Sequence, residues 1–284
     1  MKTILVNLEV SAALDATLAC SIGVAKEFGS YLEGLHVRPV QPDVIAAGAD
    51  GFIAAAPDLV AGFEQDARER AEKLRDAFEN AVRSAGMPRF LEPGTVGPAA
   101  DWHLGAGAAA NVLGSYGRIF DLIVVGRPVA DSLTPSTAAL EGALFEAGRL
   151  LMIAPPSATR IGFDRILISW NGSTETSRTI ALAMPFLDRA KSVIVHTVEK
   201  GTVPGPSGES LARMLERRGL HVEVVNHAGD DRPVGKVTLD EAQRMGADLI
   251  VKGAYTQSRL RQMIFGGATS YILANVEVPV LMSH

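Results

Sequence analysis

Residues 247–270, ADLIVKGAYTQSRLRQMIFGGATS, decide how the chain is read. They open on a short apolar run, Leu249-Ile250-Val251, bounded by turn residues, which is the pattern of a buried strand. Gly253 ends the strand and a polar segment, Tyr255 to Arg261, follows. A glycine pair, Gly266-Gly267, then precedes Ala268, Thr269 and a helical stretch from Ser270 to Asn275. Glycines opening a helix leave backbone N–H groups bare, and the helix dipole favours an anion there. Thr269 can add a hydroxyl donor or cap the helix. The physical reading is a phosphate cradle at the carboxyl end of a parallel strand, with plain turn punctuation as the simpler alternative.

Working outward, the strand has an echo. Phe120 to Gly126, FDLIVVG, repeats Ala247 to Gly253, ADLIVKG. Lys2 to Leu8 and Asp164 to Trp170 are likewise both strand-like, and each is followed by a small polar turn and a helical segment. Second strands come next, Tyr31 to Val37 and Ser192 to Val198, each with a histidine near its close (His36, His196). Each half finishes on an apolar strand, Leu150 to Ala154 and Val278 to Met282, and Ala154-Pro155-Pro156-Ser157 marks the boundary. Strands alternating with helices predict parallel sheets covered on both faces, with right-handed crossovers. One unit is therefore written twice. Aligning Lys2 with Arg165 and Asp121 with Asp248 makes the first half longer, through an insertion at Pro39 to Ala85. Within it Phe63, Ala67, Ala71, Leu74, Phe78 and Val82 recur at helical spacing. The Ala- and Gly-rich Ile45 to Ala56 reads as a flexible piece or the flank of a cleft. In the second half, Glu209 to Arg218 reads as a helix, Leu220 to Asn226 as a strand and Val234 to Met245 as a helix.

Composition excludes several functions. The chain has 284 residues, 47% hydrophobic and 21% charged, which suits a soluble globular protein of one large or two ordinary domains. A formal net charge of −5 gives no basic footprint for nucleic acid or an anionic membrane. The single cysteine, Cys20, precludes an internal disulfide framework and lies in a helical run, where it is a packing residue. No apolar run is long enough to span a membrane, and MKTILVNLEV lacks the layout of a signal peptide. A cytoplasmic protein is expected. The P-loop and the Gly-x-Ser-x-Gly turn are absent. His221 and His227 flank one strand without a third ligand, so no metal site is expected.

The paired strands and the glycine loop resemble the universal stress protein family in its tandem form, over essentially the whole chain. Nucleotide-binding members carry Gly, two residues, Gly, nine residues, Gly, then Ser or Thr. Gly253 fills the first place and Gly266 the third. Thr256 stands at the second glycine and Gly267 at the hydroxyl residue, with Thr269 two places on as the candidate hydroxyl. The resemblance implies an α/β fold: two tandem doubly wound, Rossmann-like domains, 1–157 and 162–284, related by a pseudo-two-fold axis. It implies ATP or another adenine nucleotide, with or without Mg²⁺ and not covalently bound, in the second domain. The site would comprise Trp170, Asn171, Gly172, Ser173, Thr197, Val198, Gly253, Arg259, Gly266, Gly267, Ala268 and Thr269. Asn171 replaces the family aspartate and removes its charge, and Trp170 borders the pocket as a core residue. Arg259 and Arg261 can approach phosphates. The first domain carries Arg127-Pro128-Val129 after Gly126 and no glycine pair, so its site is expected to be degenerate, although Thr134 to Thr137 offers hydroxyls. Expected partners are the nucleotide, the other half or a second copy of the chain, and a signalling protein. The rival readings are a slow ATP hydrolase and an interaction protein without ligand.

Overall fold

The computed structural model describes residues 1–39, 46–48, 51–53, 57–89, 97–129, 132, 134–158, 161–228, 231–254 and 267–284. The N-terminal half runs β1 (Thr3–Asn7), α1 (Leu14–Phe28), β2 (Tyr31–Arg38), β3 (Ala46–Gly48), β4 (Gly51–Ile53), α2 (Pro57–Ser84), β5 (Ala99–Ala106), α3 (Ala109–Tyr116), β6 (Leu122–Gly126), α4 (Thr137–Glu146) and β7 (Leu150–Ala154). The C-terminal half runs β8 (Arg165–Ser169), α5 (Thr174–Leu187), β9 (Ser192–Val198), α6 (Gly208–Glu216), β10 (Val222–His227), α7 (Val234–Arg244), β11 (Leu249–Gly253), α8 (Ala268–Asn275) and β12 (Val280–Ser283). Among the described residues no helix is long and apolar enough to cross a membrane.

Ten strands make one sheet in the order β10-β9-β8-β11-β12-β7-β6-β1-β2-β5. Each half is wound identically. Its first strand lies at the centre, the second and third go to one side, and the fourth and fifth go to the other. Within this ten-stranded sheet all pairings inside a half are parallel. The halves join where β12 meets β7 antiparallel, with Leu281 opposite Met152. β6, β7 and β11 are buried along their whole length, as continuous apolar runs in a sheet covered on both faces must be. One apolar layer, with Ile4, Val6, Ile166 and Ile168, packs against α1, α2, α5 and α6. The other, with Leu5, Leu167, Ile194 and Ile250, packs against α4, α7 and α8.

The registers change three details of the sequence reading. Thr3, not Lys2, is the counterpart of Arg165, because Ile4 and Ile166 hold the same place beside Leu122 and Leu249. The reason lies in Asp121 and Asp248. Asp121 accepts backbone N–H bonds from Lys2 and Thr3, and Asp248 accepts them from Asp164 and Arg165. Glu9 is thereby the counterpart of Asn171. Second, the helix read as an insertion is the crossover from β2 to β5, a long version of α6. The polar strand β5 it leads to does not announce itself in AADWHLGA. Third, Ile45 to Ala56 contains the small antiparallel pair β3–β4.

Candidate functional site

In the C-terminal half the winding reverses between β8 and β11, so the carboxyl ends of β8, β9 and β11 border the crevice where doubly wound sheets take ligands. The turn after β8 is built around Asn171. Its Oδ1 accepts from the Ser173 N–H at 3.2 Å and the Thr176 hydroxyl at 2.7 Å. Gly172 has φ +82°, and a Cβ there would lie 2.8 Å from the Val203 carbonyl oxygen. Ser173 caps α5, its hydroxyl accepting from the Thr176 N–H. Gly253, at the end of β11, presses on the same turn, since a Cβ on it would strike the Thr176 backbone nitrogen. Asn171, Gly172, Ser173 and Gly253 thus meet at the first turn of α5. Gly253 has a packing reason to be glycine that is independent of any ligand.

Trp170 is buried, and its indole N–H donates to the Pro206 carbonyl at 2.9 Å. The Val203 N–H donates to the Asn171 carbonyl at 2.9 Å, so the loop from Thr202 to Ser207 lies across the turn after β8. Thr197 and Val198 close β9, and the buried Thr197 Oγ1 has no partner among the described residues. On the far side Gly267 is the N-cap of α8, with Ala268 and Thr269 in its first turn. Thr269 is therefore inside the helix and buried, not its cap. Among the described residues no side chain caps α8. Gly235 brings α7 against it, a Cβ there falling 2.7 Å from the Ala268 carbonyl oxygen. Tyr255 to Gly266, with Arg259, Arg261 and Gly266, lies outside the described residues.

A polar row that sequence reasoning passed over runs beneath α7 and α8. Lys252 pairs with Ser169 across β11–β8, and Ser169 pairs with His196 across β8–β9. Each is two residues beyond Ile250, Leu167 or Ile194, hence on the face that α7 and α8 cover. Lys252 is 6% exposed, and its ammonium donates to the Gly253 carbonyl at 3.0 Å. Burial lowers its pKa to about 8. His196 is 1% exposed with both ring nitrogens unbonded among the described residues; burial, then the neighbouring His227, lowers its pKa to about 4. The His227 ring lies 5.2 Å from that of His196, and its Nε2 is 3.3 Å from Glu241. Glu241, on α7, also accepts from Arg244, which holds its carboxyl below the usual range. His221 stands apart from this group, and no cluster of three metal-ligating side chains occurs among the described residues. Lys252 had a signal in the sequence: it is the one apolar-to-charged change between LIVVG and LIVKG.

The same place in the N-terminal half is filled from within. The Glu9 carboxylate accepts from the Ser136 N–H at 3.0 Å, at the start of α4, and from Asn7 Nδ2 at 3.1 Å. Ser136 caps α4 through its hydroxyl, and the Thr134 hydroxyl donates to the Val10 carbonyl at 2.7 Å. Pro135 closes on Gly126, where a Cβ would lie 2.7 Å from the proline ring. The hydroxyls of Thr134 and Ser136 are committed to the protein itself.

Comparison with known proteins follows this division. A model of the universal stress protein family matches residues 162–284. Among solved structures, a universal stress protein from Archaeoglobus fulgidus DSM 4304 superposes with a TM-score of 0.70 at 15% identity, over 99% of this chain and 95% of that one. A functionally unknown protein from Pseudomonas aeruginosa PAO1 superposes with a TM-score of 0.50 at 16% identity, over 100% and 92% of the two chains. The search of curated proteins returned no match. At these identities the superpositions speak for the fold. Residues 162–284 thus match the universal stress protein family, and the N-terminal half repeats the fold of that domain.

Proposed function

We propose that the chain is a stress-response module that binds one adenine nucleotide, in its C-terminal half. The observation that carries this reading is the contrast between equivalent places. The N-terminal half fills the start of α4 with its own carboxylate and hydroxyl, whereas among the described residues none does so at the start of α8. Gly253 and Gly267 flank that place, and Asn171 to Ser173 and Thr197-Val198 form the opposite wall at the ends of β8 and β9. The segment from Tyr255 to Gly266, with Arg259, connects β11 to α8 and is the expected source of phosphate contacts.

One observation favours a second reading, an interaction protein without nucleotide. The loop from Thr202 to Ser207 lies on the turn after β8, where a nucleoside would rest. Mass spectrometry of small molecules released from the purified chain separates the two. ATP, ADP or AMP in near-stoichiometric amount is the expected result. Release of none, together with no binding of added nucleotide, supports the second reading.

A further inference from the structure

The internal repeat lets each half serve as the control for the other at the base of the sheet, where the last two helices of a half come together. In the N-terminal half that pair, α3 and α4, is closed. A Cβ on Gly142 would strike the Ala110 backbone, so the two helices touch there. Arg118 stitches their ends, its Nε donating to the Gly114 carbonyl at 3.0 Å and the Glu146 carbonyl at 3.2 Å. Phe120, 3% exposed, lies just before β6 with its ring edge-on to that of Tyr116, 5.4 Å between centroids.

In the C-terminal half each of these fillers is gone. With Asp121 set against Asp248, the counterparts of Tyr116, Arg118 and Phe120 are Gln243, Met245 and Ala247. Two rings and a guanidinium are thereby replaced by an amide, a thioether and a methyl. The last helix is also shorter, eight residues in α8 against ten in α4. α7 and α8 meet near their amino ends, where a Cβ on Gly235 would lie 2.8 Å from the Tyr271 Cβ. Between them runs a groove of about 490 Å³. Its apolar lining is Leu239, Ala242, Ala247, Ile250, Val276 and Val278, and Gln243, Tyr271 and Asn275 supply uncharged polar groups. Lys236 and Asp240, also on the groove, are paired with each other at 2.9 Å.

We propose that this groove is a binding site for a small, uncharged aromatic molecule of one or two rings with a polar substituent. The ring takes the place that the Phe120 side chain fills in the N-terminal half, and the substituent bonds the Gln243 amide or the Tyr271 hydroxyl. The volume suits such a ligand. Small-molecule pockets span about 300–1,000 Å³, and an apolar cavity of about 150 Å³ holds a single benzene ring. Tyr271 adds a ring edge or face for the ligand to pack on. The groove reaches Ala247 and Val278, at the amino-terminal ends of β11 and β12, whereas Gly253 marks the opposite end of β11. The site is therefore separate from the nucleotide crevice, and the proposal stands whether or not nucleotide binds.

The test uses the full chain, with indole and phenol as probes and cyclohexanol as the non-aromatic control. Binding is followed through the Ile250 methyl signal in two-dimensional NMR spectra. In wild type, indole and phenol should shift that signal saturably, and cyclohexanol should bind more weakly than phenol. Ala247→Phe installs the residue of the N-terminal half and should weaken indole binding at least about tenfold, because the side chain occupies the ligand's place. Ala247→Leu fills the same space with a smaller group and carries the test if the phenylalanine is too large to fold. Indole affinity unchanged in the folded variants, or no saturable shift with either aromatic probe in wild type, overturns the proposal. Cyclohexanol binding as tightly as phenol overturns the aromatic class. Displacement of indole by ATP would put the probe in the nucleotide crevice, and that also overturns the proposal.

Discussion

His196 sits beneath α7 with neither ring nitrogen bonded among the described residues, an environment that accepts the ring only while it is neutral. Its pKa falls from 6.5 to about 4 on folding. The unfolded chain therefore takes up the proton first, so stability is full above about pH 6.5 and is lost as pH falls toward 4. The loss amounts to about 3 kcal/mol. Urea midpoints at pH 7 and pH 4.5 should converge when wild type is compared with His196→Phe; an equal acid sensitivity of both would clear His196 of the effect. The glycines separate packing from binding. Gly253→Ala forces a methyl onto the Thr176 backbone and should cost roughly 2–3 kcal/mol in chemical denaturation. Gly267 has φ −93°, which any residue adopts, so Gly267→Val should keep the fold by circular dichroism and lose nucleotide binding.

At the level of elements, the turn after β8 caps α5. Ser173→Ala removes the acceptor for the Thr176 N–H and should lower stability by about 1 kcal/mol, read from the denaturation midpoint. How far elements were legible in the sequence depended on their burial. β6 and β11 are buried on both faces and spelled as apolar runs, so they and their echo could be read directly. The helix at Phe63 to Val82 followed from its spacing, and it extends over Pro57–Ser84. β5 escaped because it is an edge strand with mixed exposure, and its polar residues break the apolar pattern that marks its neighbours. Missing it turned a crossover helix into an insertion. At the site, glycines and turn residues were legible because they act locally. The Glu9–Ser136 bond was not, because its partners stand 127 residues apart. Lys252 was visible as a departure from the echo, but its meaning required the register that sets it beside Ser169 and His196.

For the whole molecule, the seam between halves is a core in its own right. β7 and β12 pair antiparallel in mid-sheet. On one face Phe28 of α1 meets Phe186 of α5 at 5.0 Å and Phe163 at 6.0 Å, with Arg189 stacked 4.1 Å over Phe28. On the other, Arg127 donates to the Leu273 and Ala274 carbonyls at the end of α8, where a cation complements the helix dipole. Residues 162–284 produced alone would expose the β12 edge and Phe186, and should self-associate in sedimentation experiments. A fragment that stays monomeric at high concentration would show that the seam contributes little. Within the intact chain the N-terminal half then acts as a fixed partner, with the Glu9 carboxylate at the start of its own α4. Calorimetric titration of the full chain with ATP tests that asymmetry most directly. The account predicts a single class of site at one nucleotide per chain; two equivalent sites, or no heat with ATP, ADP or AMP, would contradict it.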